Sequence, residues 1–154
     1  MKVVSNSSPL IFLSAIGMLD LLKSEFGEIL VPEAVYDEVT INDLKGSNEV
    51  KHADWIKVQR IKNIEALSFM PMLDRGEESA IVLAIEQDAD LVLLDDLAGR
   101  RAAMMHGFNV MGTLGFLKVM HRKGRIKNFK DALDALQKGG FWMNVDLYRR
   151  MLED

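Results

Sequence analysis

LDRGEESAIVLAIEQDADLVLLDDLAGRRAA, residues 73–103, carries the reading of the fold. Ala80, Ile81, Leu83 and Ala84 recur at helical spacing, which predicts a helix over Asp74–Glu86. Leu91–Leu94 is a run of four apolar residues, the pattern of a strand covered on both faces. Asp95 and Asp96 end that strand, and a second helix follows to about His106. Helix, buried strand and helix in close succession are the unit of a parallel α/β sheet.

The same alternation extends in both directions. Upstream, Lys2–Ser5 reads as a first strand. Ser8 and Pro9 read as an N-cap and first helical position, and Gly17 stops that helix. A short helix begins at Met18–Lys23. Glu28–Val31 reads as a second strand. Pro32 opens a helix to about Ile41, with Val35 and Val39 on its inner face. The polar stretch Asp43–Asn48 and the region Met70–Arg75 read as loops, and Trp55–Val58 as a short extended piece. Downstream, Gly107 closes the helix after Asp96, and Phe108–Met111 is a strand. Helices follow over Thr113–Arg122, Phe129–Gln137 and Val145–Leu152. The expected architecture is a single domain over 1–154, a three-layer α/β/α fold with a parallel central sheet.

Composition bounds the function. The chain has 154 residues, 49% apolar and 27% charged, as expected for one folded domain. It has no Cys, which excludes thiolate catalysis and Cys-based zinc sites. The N-terminus turns polar at Ser5–Ser8, before a signal-peptide apolar region is complete, and the apolar runs are too short for a bilayer. A cytoplasmic protein without membrane contact is expected. The net charge of −4 argues against a protein that coats nucleic acid nonspecifically. It is compatible with a nuclease whose metal site is itself a cluster of acids.

In parallel α/β sheets, polar sites lie at the carboxyl ends of the strands. That rule selects Ser5, Asn6, Ser7 and Ser8 after the first strand, and Asp95 and Asp96 after the apolar run. There is no Gly-rich phosphate loop and no GxSxG elbow. His52, His106 and His121 lack zinc-site spacing. What remains are Glu38, Asp74, Glu77, Glu78, Asp95 and Asp96. Mg²⁺ and Mn²⁺ take oxygen ligands. Such a cation polarises a phosphodiester and lowers the pKa of water, so an acidic cluster at the sheet edge is sufficient for phosphodiester hydrolysis. Each side chain also has a plain structural role open to it. Asp96 can cap the helix after it. Asp74 and Glu77 form a D-x-x-E capping box. Glu38 can be a solvated helix residue, and Asn6 a turn residue.

Four ordered segments together resemble the PIN-domain family: VVSNSSPLIFLSAIGMLDLL at 3–22, VPEAVYDEV at 31–39, the 73–103 stretch, and GFNVMGTLGFLKVMHRKGRI at 107–126. More narrowly they resemble the prokaryotic VapC-like branch, with its S-[DN]-[TS]-S-P-L-I opening and GE…LLDD…R signature. The resemblance implies an acidic pocket holding Mg²⁺ or Mn²⁺. It also implies cleavage of single-stranded RNA by metal-activated water, with 5′-phosphate and 3′-hydroxyl products. The family's four acidic positions fall on Asn6, Glu38, Glu77 and the Asp95–Asp96 pair, with Asp96 the closer match. Glu38, Glu77, Asp95 and Asp96 are thus the expected metal ligands, and Ser5, Ser7 and Ser8 the supporting hydroxyls. Asn6 departs from the family's usual aspartate. It keeps a carbonyl oxygen but no charge, which predicts weaker metal binding.

Arg100 and Arg101, one turn beyond Asp96, are the candidates for contact with RNA phosphates. The run HRKGRIK at 121–127 either touches RNA backbone or simply suits a helix C-terminus. The methionines, Met70, Met72, Met104, Met105, Met111 and Met120 among them, read chiefly as core fillers. Phe141, Trp142 and the last helix suit core, a homodimer contact, or a small antitoxin partner. Two other classes compete. One is a PIN scaffold that binds or regulates without cutting. The other is a receiver-like phosphotransfer domain, which needs a late Lys beside a phosphoacceptor Asp; no persuasive pairing of that kind is legible.

Overall fold

The computed structural model describes residues 1–41 and 46–153. Among these residues, five strands form one all-parallel sheet in the order β3-β2-β1-β4-β5. They are β1 Val3–Ser5, β2 Ile29–Pro32, β3 Ile56–Gln59, β4 Leu91–Leu93 and β5 Asn109–Met111. The helices are α1 Ser7–Ala15, α2 Asp20–Phe26, α3 Glu33–Thr40, α4 Ser47–His52, α5 Arg75–Gln87, α6 Leu97–Met105, α7 Thr113–Arg122, α8 Phe129–Lys138 and α9 Val145–Leu152. A 3₁₀ turn spans Ile64–Phe69. Among the described residues, no helix is long and apolar enough to cross a membrane.

The apolar strand runs are explained by burial on both faces. Val3, Ile29, Val31, Leu91 and Leu93 face a core shared with Leu10 and Leu13 of α1, Leu22 of α2, and Phe116, Leu117 and Met120 of α7. Val4, Leu30, Val92 and Leu94 face the other way, onto Ala80, Ile81, Leu83 and Ala84 of α5 and Ala103 of α6. Alternate residues of one strand therefore feed two layers, as the period of two requires. This is the three-layer α/β/α arrangement.

Sheet topology places the site. From β1 the chain moves out through β2 to β3, then returns to the far side of β1 to form β4 and β5. The order reverses between β1 and β4, which makes their carboxyl ends a topological switch point. Val3, Val4 and Ser5 pair with Leu91, Val92 and Leu93. Beyond the register, the Asn6 amide donates to the Leu93 carbonyl at 3.0 Å, and the Leu94 amide to that of Met111 at 3.0 Å. Asn6 is thereby drawn level with the end of β4.

Several expectations are corrected. Helix α1 begins at Ser7, so Asn6 takes the N-cap position and Pro9 lies inside the first turn, where its missing N–H costs nothing. Asp43 falls outside the described residues, and Ser47 and Asn48 open α4 instead of belonging to a loop. The methionines divide between core and surface: Met70 and Met111 pack against the core as expected, while Met104 is exposed. Met120 is fully buried, but Met72 and Met105 are 87% and 86% exposed. With Met70, Pro71 and Leu73 they line an open apolar groove beside α6. Trp142 is 78% exposed, while Phe141 packs edge-on against Phe12 at 5.0 Å. Helix α9 lies on the core through Leu147, Tyr148 and Met151. It is tied down by Tyr148 Oη donating to Asp134 at 2.6 Å and by Lys118 Nζ donating to the Met151 carbonyl.

Candidate active site

Asn6 follows β1 directly. At an N-cap the Asn side chain normally accepts from an amide of the first turn. Here it makes no such bond. The residue is only 6% exposed, and its Oδ1 is buried without a hydrogen-bond partner. A buried acceptor left open in this way is uncommon.

Glu38 lies on α3 between the buried Val35 and Val39 in sequence. Ser7 Oγ donates to its Oε2 at 2.9 Å, which fixes the carboxylate over the end of β1. Gly76, in the first turn of α5, keeps this space free. A Cβ there would lie 2.9 Å from Glu38 Oε2, 3.2 Å from Asn6 Oδ1 and 3.5 Å from Asp74 Oδ1. Oxygens from three separate elements thus bound one small space, and only glycine leaves it open.

Glu77 adjoins it. Its amide donates to Asp74 Oδ1 at 2.8 Å, so the D-x-x-E motif does cap α5. The Glu77 side chain is buried against the carboxylates of Asp74 and Asp96, with Oε2 unpartnered. A Cβ on Gly99 would meet that oxygen at 2.7 Å. Burial first, and then the hydrogen-bonding and charge of Asp74 and Asp96, push Glu77 up to about 8. Asp96 is exposed. Its Oδ2 accepts from the Gly99 amide at 3.2 Å, capping α6 while the same carboxylate lies against Glu77.

Asp95 is turned elsewhere. Its Oδ1 accepts from the Thr113 amide at 2.6 Å and its Oδ2 from Thr113 Oγ1 at 2.7 Å. Burial raises its pKa, and the Thr113 hydrogen bonds and the Arg100 charge partly offset that rise. Asp95 therefore anchors the start of α7, and Asp96 is the member of the pair that meets Glu77. Arg100 lies near Asp95: Asp95 Oδ1 and Arg100 Nη1 come within 2.9 and 3.2 Å of the Cβ that Gly112 lacks. Arg101 sits on another flank of α6 and lines the apolar groove. Ser5 is buried and donates to the Asn6 carbonyl at 2.9 Å; Ser8 is half-buried in the first turn of α1. In the 121–127 run, Lys123 and Arg125 pair with Glu25. Helix α7 starts at the carboxyl edge and ends about 15 Å away, so this run stands far from the acids.

In the sequence Asp74 stands among the candidate acids and, through its D-x-x-E spacing, as a helix cap. Nothing marked Thr113.

A PIN-domain family model matches residues 2–154 of the chain. The chain belongs to the PIN-domain family. PIN domains are generally nucleases and typically use divalent metals. No curated protein sequence matches the chain. Among the described residues of this PIN domain, no three acidic or histidine side chains form a ready-made metal cage. The donor set nonetheless suits an open hard-cation site. Mg²⁺ is usually held by one or two carboxylates, with water and substrate filling the rest. The unpartnered buried oxygens of Asn6 and Glu77 are the kind of ligand such an ion takes, and a cation would offset the burial and the neighbouring acids that raise the Glu77 pKa.

Proposed function

We propose that this PIN domain is a Mg²⁺- or Mn²⁺-dependent endoribonuclease that hydrolyses single-stranded RNA, and that it serves as the toxin of a VapC-like toxin–antitoxin pair. The observation that carries the hydrolytic reading is the convergence of Asn6, Glu38, Glu77 and Asp96 at the switch point, with two buried oxygens left open. The toxin role is supported by the VapC-like motifs. Glu38, Glu77 and Asp96 are the residues to hold the cation, with Asn6 adding a neutral oxygen. A divalent cation in this pocket supplies charge to a phosphate oxygen and acidifies water. Ser7 keeps the Glu38 carboxylate in place, so no reorganisation is needed when substrate arrives. Gly76 and Gly99 let the pocket stay open to a backbone phosphate. Arg100, which lies beside Asp95 on α6, is the cation we assign to a neighbouring phosphate.

Calorimetric titration of Mn²⁺ into the parent, Glu77→Gln and Asp96→Asn tests the site. Saturable binding in the parent that is lost in both variants is the expected result, followed by cleavage of single-stranded RNA. A parent that binds no Mn²⁺ at millimolar concentration refutes the metal-dependent reading. The second reading, a scaffold that binds without cutting, is favoured by the neutral Asn6. It holds if the parent leaves RNA intact.

A further inference from the structure

A site for a hard dication is tuned by the number of charged ligands around it. At the end of β1 this chain offers a neutral amide. Yet the space above Gly76 is not short of acids. The same missing Cβ that lies 3.2 Å from Asn6 Oδ1 lies 2.9 Å from Glu38 Oε2 and 3.5 Å from Asp74 Oδ1. Asn6 Oδ1 is buried, aimed into that space and unpartnered. Asp74 also lies against Glu77. It therefore meets both halves of the pocket.

We infer that Asp74 supplies the negative charge that Asn6 lacks, so that the cation pocket of this PIN domain draws a carboxylate from the N-cap of α5 in place of one at the end of β1. The inference rests on the cation-site reading above. Asp74 has a structural role as well, since it caps α5 through the Glu77 amide. A test must separate the two roles. Asn and Ser cap helices about as well as Asp, so Asp74→Asn and Asp74→Ser remove the charge and leave the cap.

The experiment is Mn²⁺ titration by calorimetry on the parent, Asp74→Asn, Asp74→Ser, Asn6→Asp and the double variant Asn6→Asp/Asp74→Asn, with thermal melts in EDTA as the control for folding. Both Asp74 variants are expected to bind Mn²⁺ at least about tenfold more weakly than the parent, with melting temperatures close to the parent's. Asn6→Asp in the Asp74→Asn background is expected to return the affinity to within a few-fold of the parent, because the charge is restored at the end of β1. The inference is overturned if Asp74→Asn binds as tightly as the parent while Glu77→Gln does not bind. It is also overturned if Asn6→Asp fails to rescue Asp74→Asn. A parent that binds no Mn²⁺ overturns the inference and the cation-site reading together.

Discussion

Glu77 is the most perturbed side chain of the pocket, and its titration has a definite sign. Its folded pKa of about 8 stands above the ordinary 4.5, so the folded state holds a proton that the unfolded chain releases. The resulting contribution to stability is complete below about pH 4.5 and is lost as pH rises towards 8. Urea denaturation in EDTA should therefore show the parent losing stability across that window, with a flatter profile for Glu77→Gln. A parent profile no steeper than the variant's would place Glu77 in an ordinary carboxylate environment. At this scale the motifs selected Asn6, Glu38, Glu77 and Asp96, which the fold does bring to one edge. They gave Asp96 as the closer match of the Asp95–Asp96 pair but kept both as ligands. Successive residues on extended backbone point in opposite directions, so one aspartate turns to Thr113 and the other to Glu77. The string DD does not say that Asp95 would turn to Thr113.

Among the elements, the junction of β4 and α7 is the one with a testable lock. Thr113 is fully buried and gives both its amide and its hydroxyl to Asp95. Thr113→Val keeps the shape and removes the hydroxyl, leaving a buried carboxylate oxygen unpaired. That should cost about 1–3 kcal/mol in urea denaturation, with Mn²⁺ affinity within a few-fold of the parent's because Asp95 faces away from Glu77. A large loss of Mn²⁺ affinity at small stability cost would instead make Asp95 part of the pocket. Long periodic elements such as the helices at Thr113–Arg122 and Val145–Leu152 were legible to the residue. The 3₁₀ turn at Ile64–Phe69 was not, because short segments rely on tertiary packing more than on their own propensity. Met72, Met104 and Met105 misled for a related reason. Hydrophobicity marks a side chain as suited to burial, but the fold lacks enough interior for all of them.

For the molecule as a whole, the pocket is assembled from residues distant in the chain: the end of β1, the face of α3, and the starts of α5 and α6. None of these groups is together in the unfolded chain, so cation binding is coupled to folding. Mn²⁺ at a hundred times its dissociation constant should stabilise the native state by about 2.7 kcal/mol. For a chain of this size that raises the melting temperature by about 5–10 °C. Glu77→Gln should abolish the dose-dependent rise. An equal rise in the variant would mean that the ion binds elsewhere.

The sequence by itself determined the α/β class, the order of the strands and of the helices other than α4, and the strand ends that carry the acids. Each of these follows from local periodicity and from turn and cap chemistry, which neighbouring residues write directly. Only the tertiary structure decided which oxygens share a space. It set Asp74 beside Asn6 and Glu77, withdrew Asp95 to Thr113, and parted Arg100 from Arg101. Those outcomes depend on sheet register and on how close the starts of α5 and α6 come to each other, and two glycines make that approach possible without announcing it in the string.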